Sequence, residues 1–466
     1  MCGVVGIYSD DEDITPQLTY YSLFSLQHRG QESAGIASYN GDNIVVYKGM
    51  GLITQVFNEK LLKKLKGKVS IGHVRYSTTG ESKIENAQPL FVKSKAGSLA
   101  IAHNGNLVNY WELRRELENG GRVFLTESDT EVIAHLLSTY LIDHDVPEAL
   151  ELLTEKLVGS YTLTILYNDT LIGYRDPYGF KPLCIGKGDF GYILASESCA
   201  IDSTDAEFIR DIRPGEAVII KNGQPEFVRI RKEKRKSLCV FEYIYFARPD
   251  SIIDGRSVYK VRYNSGRLLA KESPVDADVV SPIPDSGITV SIGYSQESGI
   301  KFLETLIKNR YVGRTFIMPE QRIRELSVKI KMNTVKENIE GKRIVLVDDS
   351  IVRGTTSKKI VKMVKNAGAK EVHLRVGSPP IIAPCYFGID MPTREELIAS
   401  GRSIDEIKNL LEVDSLAYLS LKSLLKAINC SKNRLCLACL TSKYPVPVPG
   451  EELDEFAQIS LSSQQR

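Results

Sequence analysis

One stretch confines the choice of fold more than any other. Residues 342–380 read KRIVLVDDSIVRGTTSKKIVKMVKNAGAKEVHLRVGSPP: an apolar strand, a small-residue loop, a helix, a glycine stop and a second strand. That order makes a βαβ unit, in which the two strands lie parallel in one sheet. The first strand ends in adjacent carboxylates, Asp348 and Asp349, just before the loop. Backbone N–H groups at the start of the following helix form a cradle for an anion. Ser350, Arg353, Gly354, Thr355, Thr356 and Ser357 suit a phosphate there. No G-x-x-x-x-G-K-[ST] occurs, which argues against an NTPase. A capped strand–turn–helix is the plainer account, but capping does not call for the whole run. Upstream, ADVVSPIPDSG reads as an apolar strand ending in a turn-rich loop, and ITVSIGYSQESG as a helix.

The first half has a different texture. Short β-type runs such as CGVVGIYS, GIASYN, KVSIGHVRYST, SLAIAHN and SYTLTILYND are punctuated by glycine, asparagine and aspartate. NYWELRRELENG and SDTEVIAHLLSTYLI show helical periodicity between them. Sheets packed with helices, an α+β layered domain, follow from this pattern. The basic run RKEKRK at 231–236 reads as a solvated connector, and the ending from residue 444, proline-rich and then polar, as a loosely packed tail. Length alone allows two or three domains. A net charge of +2 gives no electrostatic case for a nucleic-acid or membrane partner. Asp10, Asp11, Glu12 and Asp13 break any signal-peptide pattern, so the expectation is a cytoplasmic protein with its eight cysteines reduced. Cysteines that matter should then be nucleophiles or metal ligands.

The opening MCGVVGIYSD puts one thiol at position 2. If Met1 is removed, Cys2 carries the free α-amine. That amine titrates near ~7.7–8.0 against about 8.5 for the thiol, and could act as its base. A buried cysteine opening a strand is the plainer alternative.

Four stretches of the first half bear on that choice: HRGQESAGI (28–36), GHVRYSTTG (72–80), AHNGNLVN (102–109) and SDTEV (128–132). With the Cys-Gly start, and with RDPYGFKPL and ASES further on, they resemble the N-terminal-nucleophile glutaminase domain of class II glutamine amidotransferases. The resemblance implies a layered αββα domain over residues 2–230 in which Cys2 attacks the side-chain amide of glutamine, giving a thioester and ammonia. It implies that Asn104 and Gly105 form the oxyanion hole, and that Arg29 lies near the nucleophile. Arg75 would bind glutamine's α-carboxylate and Asp129 its α-ammonium. A cysteine–histidine dyad through His73 or His103 is the rival arrangement.

The stretch IVLVDDSIVRGTT resembles the 5-phosphoribosyl 1-pyrophosphate (PRPP) signature of type I phosphoribosyltransferases. The resemblance implies an α/β domain with a parallel sheet over 237–443, between the connector at 231–236 and a tail at 444–466. Asp348 and Asp349 would meet ribose hydroxyls and a Mg²⁺-bound diphosphate, with Ser286 as a further metal contact. PIPDSG supplies Asp285 and Ser286, and KNRYVGRTF resembles a loop closing over PRPP through Lys308, Arg310 and Tyr311. In iron–sulfur members, the contexts LCVFEYIYFARPDS and APCYFGIDMP and the late CLAC pair supply cluster ligands. Those positions here are Cys239, Cys385, Cys436 and Cys439, with a Cys₄ zinc site as the alternative.

Together the two halves resemble the amidophosphoribosyltransferase family, iron–sulfur-containing type. The resemblance implies that glutamine, PRPP and water give 5-phosphoribosylamine, glutamate and diphosphate, opening purine synthesis. It also implies one Mg²⁺ and one 4Fe–4S cluster per subunit, feedback by purine nucleotides and a homo-oligomer. With only Met1 before Cys2, no longer propeptide is expected. Glucosamine-phosphate synthase, which shares the first half, lacks the PRPP signature. A non-catalytic PRPP sensor would not need the glutaminase motifs.

Overall fold

The structure is a computed structural model that describes residues 1–76, 80–232, 235–309, 332–391, 393–455 and 458. Arg310 and Tyr311 lie outside the described residues.

Two antiparallel sheets stack in the first half. One has seven strands in the order 207–211, 184–188, 191–195, 3–9, 69–75, 33–39 and 44–50. The other has six, in the order 224–229, 216–221, 170–175, 159–167, 97–107 and 90–94. Side chains alternate across each strand, which splits the core into layers. Val4 points into the space between the sheets, with Ala37, Ile71, Ala100, Leu166 and Val218. Its neighbour Val5 points outward, where Leu23 and Leu26 from the helix segment covering that face pack on it. Helices Asp129–Tyr140 and Val146–Lys156 cover the outer face of the second sheet through Val132, Ile133, Leu150 and Leu153. The order of layers is therefore helix, sheet, sheet, helix, as the sequence implied.

The second half carries the parallel sheet, with strands Val279–Pro282, Arg343–Asp348, Glu371–Val376 and Ser415–Tyr418 side by side. Both faces are buried, which explains the unbroken apolar run IVLV. Val345 and Val347 pack towards helices Val258–Glu272 and Ile288–Ser298. Ile344 and Leu346 pack towards Thr355–Asn366 and Ile404–Leu411.

Two expectations are corrected. The connector is not wholly solvated, because Arg235 and Lys236 form ion pairs with Asp454 and the buried Asp254. Neither is residue 444 onwards loose at its start. Tyr444 is fully buried and donates to the carbonyl of Pro384, Val446 and Val448 are buried, and Lys443–Tyr444 pairs with Glu452–Leu453. The prolines there set an extended segment into the core, where hydropathy alone reads a tail.

The two halves are joined by buried charge. Arg29, with no exposed surface, donates to Glu197 in its own half and through both terminal nitrogens to Glu242 in the other. Glu242 opens a π-helical turn, Glu242–Phe246. Removing either carboxylate would leave the guanidinium charge short of a partner, at a cost of about 3–5 kcal/mol.

Candidate active sites

Cys2 lies at the head of the central strand Gly3–Ser9, where three neighbours hold its backbone and thiol. Its N–H donates to Asn104 Oδ1 at 3.2 Å, its carbonyl accepts from Arg29 Nε at 2.9 Å, and its thiol donates to the Tyr76 carbonyl at 3.6 Å. Asn104 comes from strand Gly97–Leu107 of the other sheet. Because its oxygen is taken by Cys2, its Nδ2 is aimed elsewhere, and that buried amide nitrogen has no partner among the described residues. An unpaired buried donor beside a thiol is a costly arrangement unless something arrives to accept from it. Met1 is also buried, and burial pushes its α-ammonium down to about 6.

Asp129 begins a helix whose cap is Ser128, and it accepts from the Leu107 N–H at 2.9 Å. Its carboxyl lies below the usual range despite burial, which opposes the shift, because His103 stands beside it. His103 is raised by Asp129 against the opposite effect of burial. Both its ring nitrogens are engaged, Nδ1 with Thr130 Oγ1 and Nε2 with the Ser160 carbonyl, each at 3.2 Å. His73 meets the His103 carbonyl, and burial pushes it down to about 3. Neither histidine forms a hydrogen bond with the Cys2 thiol among the described residues, so the dyad has no geometric support. Arg75, at the end of its strand, pairs with Glu32 and reaches the carbonyls of Gly80 and Glu81.

The second site is a cavity of about 410 Å³ at the C-terminal ends of the parallel strands. Ser286, Asp348, Asp349, Ser350, Arg353, Gly354, Thr355, Thr356 and Ser357 all line it. Asp348 is raised by burial and then by Asp349, since two carboxylates so close resist double ionisation. Ser350 Oγ donates to Asp349 Oδ2 at 2.6 Å. Gly354 has φ +75°, and a Cβ there would come within 2.3 Å of Ile398, so only glycine lets the loop turn into the helix. Asp285 stands outside the cavity lining, paired with Lys308 Nζ at 2.6 Å.

Sequence reading missed the residues that join the sites. His28 and Tyr76, from the first half, line the same cavity as Asp348 and Asp349. His28 Nε2 also meets Glu197 Oε1 at 2.7 Å. From the other side, Gly388 has φ +94°, and a Cβ there would fall 2.8 Å from the carbonyl carbon and oxygen of Gly105. Asn106 Nδ2 donates to the Tyr386 carbonyl at 3.1 Å. HRG and CYFGID were visible as motifs, but nothing local marks a glycine that faces another domain's strand.

The four cysteines also come together. Cys239 lies directly beside Cys436 in a short parallel pair, and the Cys439 carbonyl accepts from the N–H groups of Ile382 and Ala383, just before Cys385. Burial raises Cys239 to about 11 against the opposing Lys181, with Cys385 and Glu242 adding to it, and burial with the other three cysteines raises Cys439 well above the ordinary thiol range. Among the described residues no three His, Cys, Asp or Glu side chains close tightly enough to hold a single metal ion.

A profile of the glutamine amidotransferase domain matches residues 73–203, and one of the phosphoribosyl transferase domain matches 261–376. An amidophosphoribosyltransferase of Archaeoglobus fulgidus is 66% identical over 457 residues, spanning 97% of this chain and 100% of that one. The chain belongs to the amidophosphoribosyltransferase family. The enzyme of Methanocaldococcus jannaschii is 55% identical, over 97% of this chain and 99% of that one. A solved structure of the Bacillus subtilis glutamine PRPP amidotransferase, complexed with ADP and GMP, superposes with a TM-score of 0.90 at 47% identity, over 98% of this chain and 100% of that one. The protein is thus an enzyme that aminates PRPP at the expense of glutamine in purine biosynthesis. Among the described residues no helix is long and apolar enough to cross a membrane.

Proposed function

We propose that the two sites act as one, with Cys2 releasing ammonia that reaches PRPP without leaving the protein. Tyr76 carries this reading: its carbonyl accepts from the Cys2 thiol while the residue lines the cavity of Asp348 and Asp349. In it, the glutaminase domain spans 2–230 and the transferase domain 237–443, with 231–236 between them and 444–466 closing the chain.

At the first site, Cys2 attacks the glutamine amide carbon. The tetrahedral oxygen that forms accepts from Asn104 Nδ2 and the Gly105 N–H; the unpartnered state of Nδ2 supports this role. Arg75 holds the α-carboxylate in exchange for part of its contact with Glu32, and Asp129 holds the α-ammonium in place of His103. Arg29 fixes the Cys2 backbone. The α-amine of Cys2, free once Met1 is removed, takes the thiol proton. A glutamine analogue bearing an electrophile should label Cys2 alone, and labelling elsewhere would remove it from the mechanism.

At the second site, the loop from Ser350 to Ser357 holds the 5-phosphate, while Asp285, Ser286, Lys308, Arg310 and Tyr311 take the diphosphate side. The family's phosphoribosyl transferase domain works on PRPP with Mg²⁺. Asp348, Asp349 and Ser286 would hold that ion, and a buried carboxylate pair that resists double ionisation is a fitting donor set. The ion supplies charge neutralisation for the departing diphosphate. Asp348 and Asp349 also orient the ribose hydroxyls, and the cavity walls exclude water from the anomeric carbon.

Because Gly388 presses on Gly105, the transferase half supports the oxyanion strand. Gly388→Ala should lower glutamine-dependent turnover by about tenfold or more while sparing ammonia-dependent synthesis, since a displaced donor loses transition-state stabilisation. Equal loss of both activities would count against this.

Cys239, Cys385, Cys436 and Cys439 are assigned to a 4Fe–4S cluster. Three buried thiols and the half-buried Cys385 lie near enough to act on one another, and four thiolates are a sufficient ligand set for such a cluster. Bound there, it would staple the C-terminal segment to the transferase sheet. Anaerobically purified protein should be brown, with iron and acid-labile sulfide in matching amounts; a colourless protein with one zinc per chain would contradict the assignment. Feedback by purine nucleotides and a homo-oligomer complete the reading, the first supported by the ADP and GMP on the B. subtilis relative. Eight free cysteines fit a reducing, cytoplasmic compartment.

A further inference from the structure

Lys181 has no exposed surface, which is rare for a lysine without an anionic partner. Among the described residues its ammonium has one hydrogen-bond partner, the thioether of Met1 at 3.3 Å, and no ion pair within reach. A thioether is a weak acceptor, so this hydrogen bond alone answers little of the charge. Cys239, Cys385, Glu242 and Cys436 hold its charge above the ordinary lysine range against the effect of burial, and the buried Met1 ammonium repels it. Its backbone is locked to the same place. The Phe180 carbonyl accepts from the Cys239 N–H at 3.0 Å, and the Phe180 ring stacks on Phe387 at 4.5 Å, two residues beyond Cys385. The Lys181 carbonyl accepts from Arg175 Nε and Thr162 Oγ1, which tie it to the glutaminase sheet.

We propose that Lys181 is the counter-charge of the metal–thiolate group held by Cys239, Cys385, Cys436 and Cys439, a cation supplied to that group by the glutaminase domain. The inference rests on the four-cysteine assignment above. A cubane bound by four thiolates carries net negative charge, which deepens on reduction. A buried ammonium beside it offsets that charge and donates to sulfur, and such contacts set both the potential and the retention of a cluster. Removal of Met1 takes away the thioether and leaves Glu242, already paired with Arg29, and the cysteine side as what acts on Lys181. Lys181 is a positioning residue in this account, because it touches neither substrate.

The test compares the holoenzyme with Lys181→Met, which keeps length and loses charge, and Lys181→Arg, which keeps charge. Lys181→Gln serves as a second neutral variant should the apolar one fail to fold. Reduction potential is measured by mediated titration with electron paramagnetic resonance, and iron loss to a chelator by absorbance. The neutral variants should show a lower potential and lose iron about tenfold faster, the scale typical of outer-shell contacts, while Lys181→Arg stays near wild type. Neutral variants with unchanged potential and unchanged iron loss would overturn the role of Lys181 while leaving the cluster standing. A wild-type protein without iron and sulfide would instead overturn the cluster, and the inference with it.

Discussion

Replacing Asp348 and Asp349 together with asparagine will abolish phosphoribosylamine formation, whether glutamine or free ammonia is the nitrogen source. Both carboxylates lie at the end of the strand that feeds the loop proposed to hold the 5-phosphate, and both line the cavity. Loss of a single electrostatic group at a reacting centre costs roughly 10²–10³-fold, and here two are lost along with the cation they would hold. The protein should nevertheless remain folded. Asp348 is raised by burial and by Asp349, so the folded state holds its proton more tightly than the unfolded one. Stability therefore falls as pH rises from the unfolded carboxyl range, and at neutral pH the pair is a burden on the fold. The variant should melt at or above the wild-type temperature at neutral pH. Near-normal synthesis from ammonia would sink the assignment of this pair.

Cys2→Ala should divide the two activities. Glutamine hydrolysis and glutamine-dependent synthesis should fall to background, because no other thiol lies at the head of that strand to form the thioester. Synthesis from ammonia should persist, since the proposed site for that chemistry is Asp348, Asp349 and the loop behind them. A merely structural Cys2 behaves differently. Trimming one buried sulfur would cost about 1 kcal/mol of stability and reduce both activities together. Mass spectrometry of the active wild type should also show the chain beginning at Cys2. A fully active chain retaining Met1 would remove the α-amine from its role as base.

The sequence showed most of each site and little of what joins them. IVLVDDSIVRGTT was legible as one cavity wall because a buried strand, two carboxylates and a small-residue loop are contiguous, so local periodicity and residue chemistry coincide. Cys2, Asn104 and Asp129 were legible as positions in ordered motifs. Their geometry needed the fold, since Asn104 reaches Cys2 across two sheets. Glu242, Gly388, Lys181 and the second role of Tyr76 were not legible. Glu242 and Gly388 meet residues of the other half, Tyr76 lines a cavity shared by both, and a carboxylate in an aromatic run or a lysine after a turn carries no local sign of a distant neighbour. The segment at 444–448 failed for a related reason: Tyr444, Pro445, Val446 and Val448 fill a cleft, lined by Phe180 and Phe387, that exists only after both halves have folded.

Ammonia that passes from Cys2 to PRPP inside the protein should not mix with ammonium in solution. Supply glutamine labelled with heavy nitrogen in its side-chain amide, PRPP and Mg²⁺, together with an equal concentration of unlabelled ammonium, and read the isotope in phosphoribosylamine after trapping. Wild-type product should be labelled almost wholly from glutamine, and Cys2→Ala product should be wholly unlabelled. Wild-type product whose label simply follows the composition of free ammonium in solution would contradict passage inside the protein.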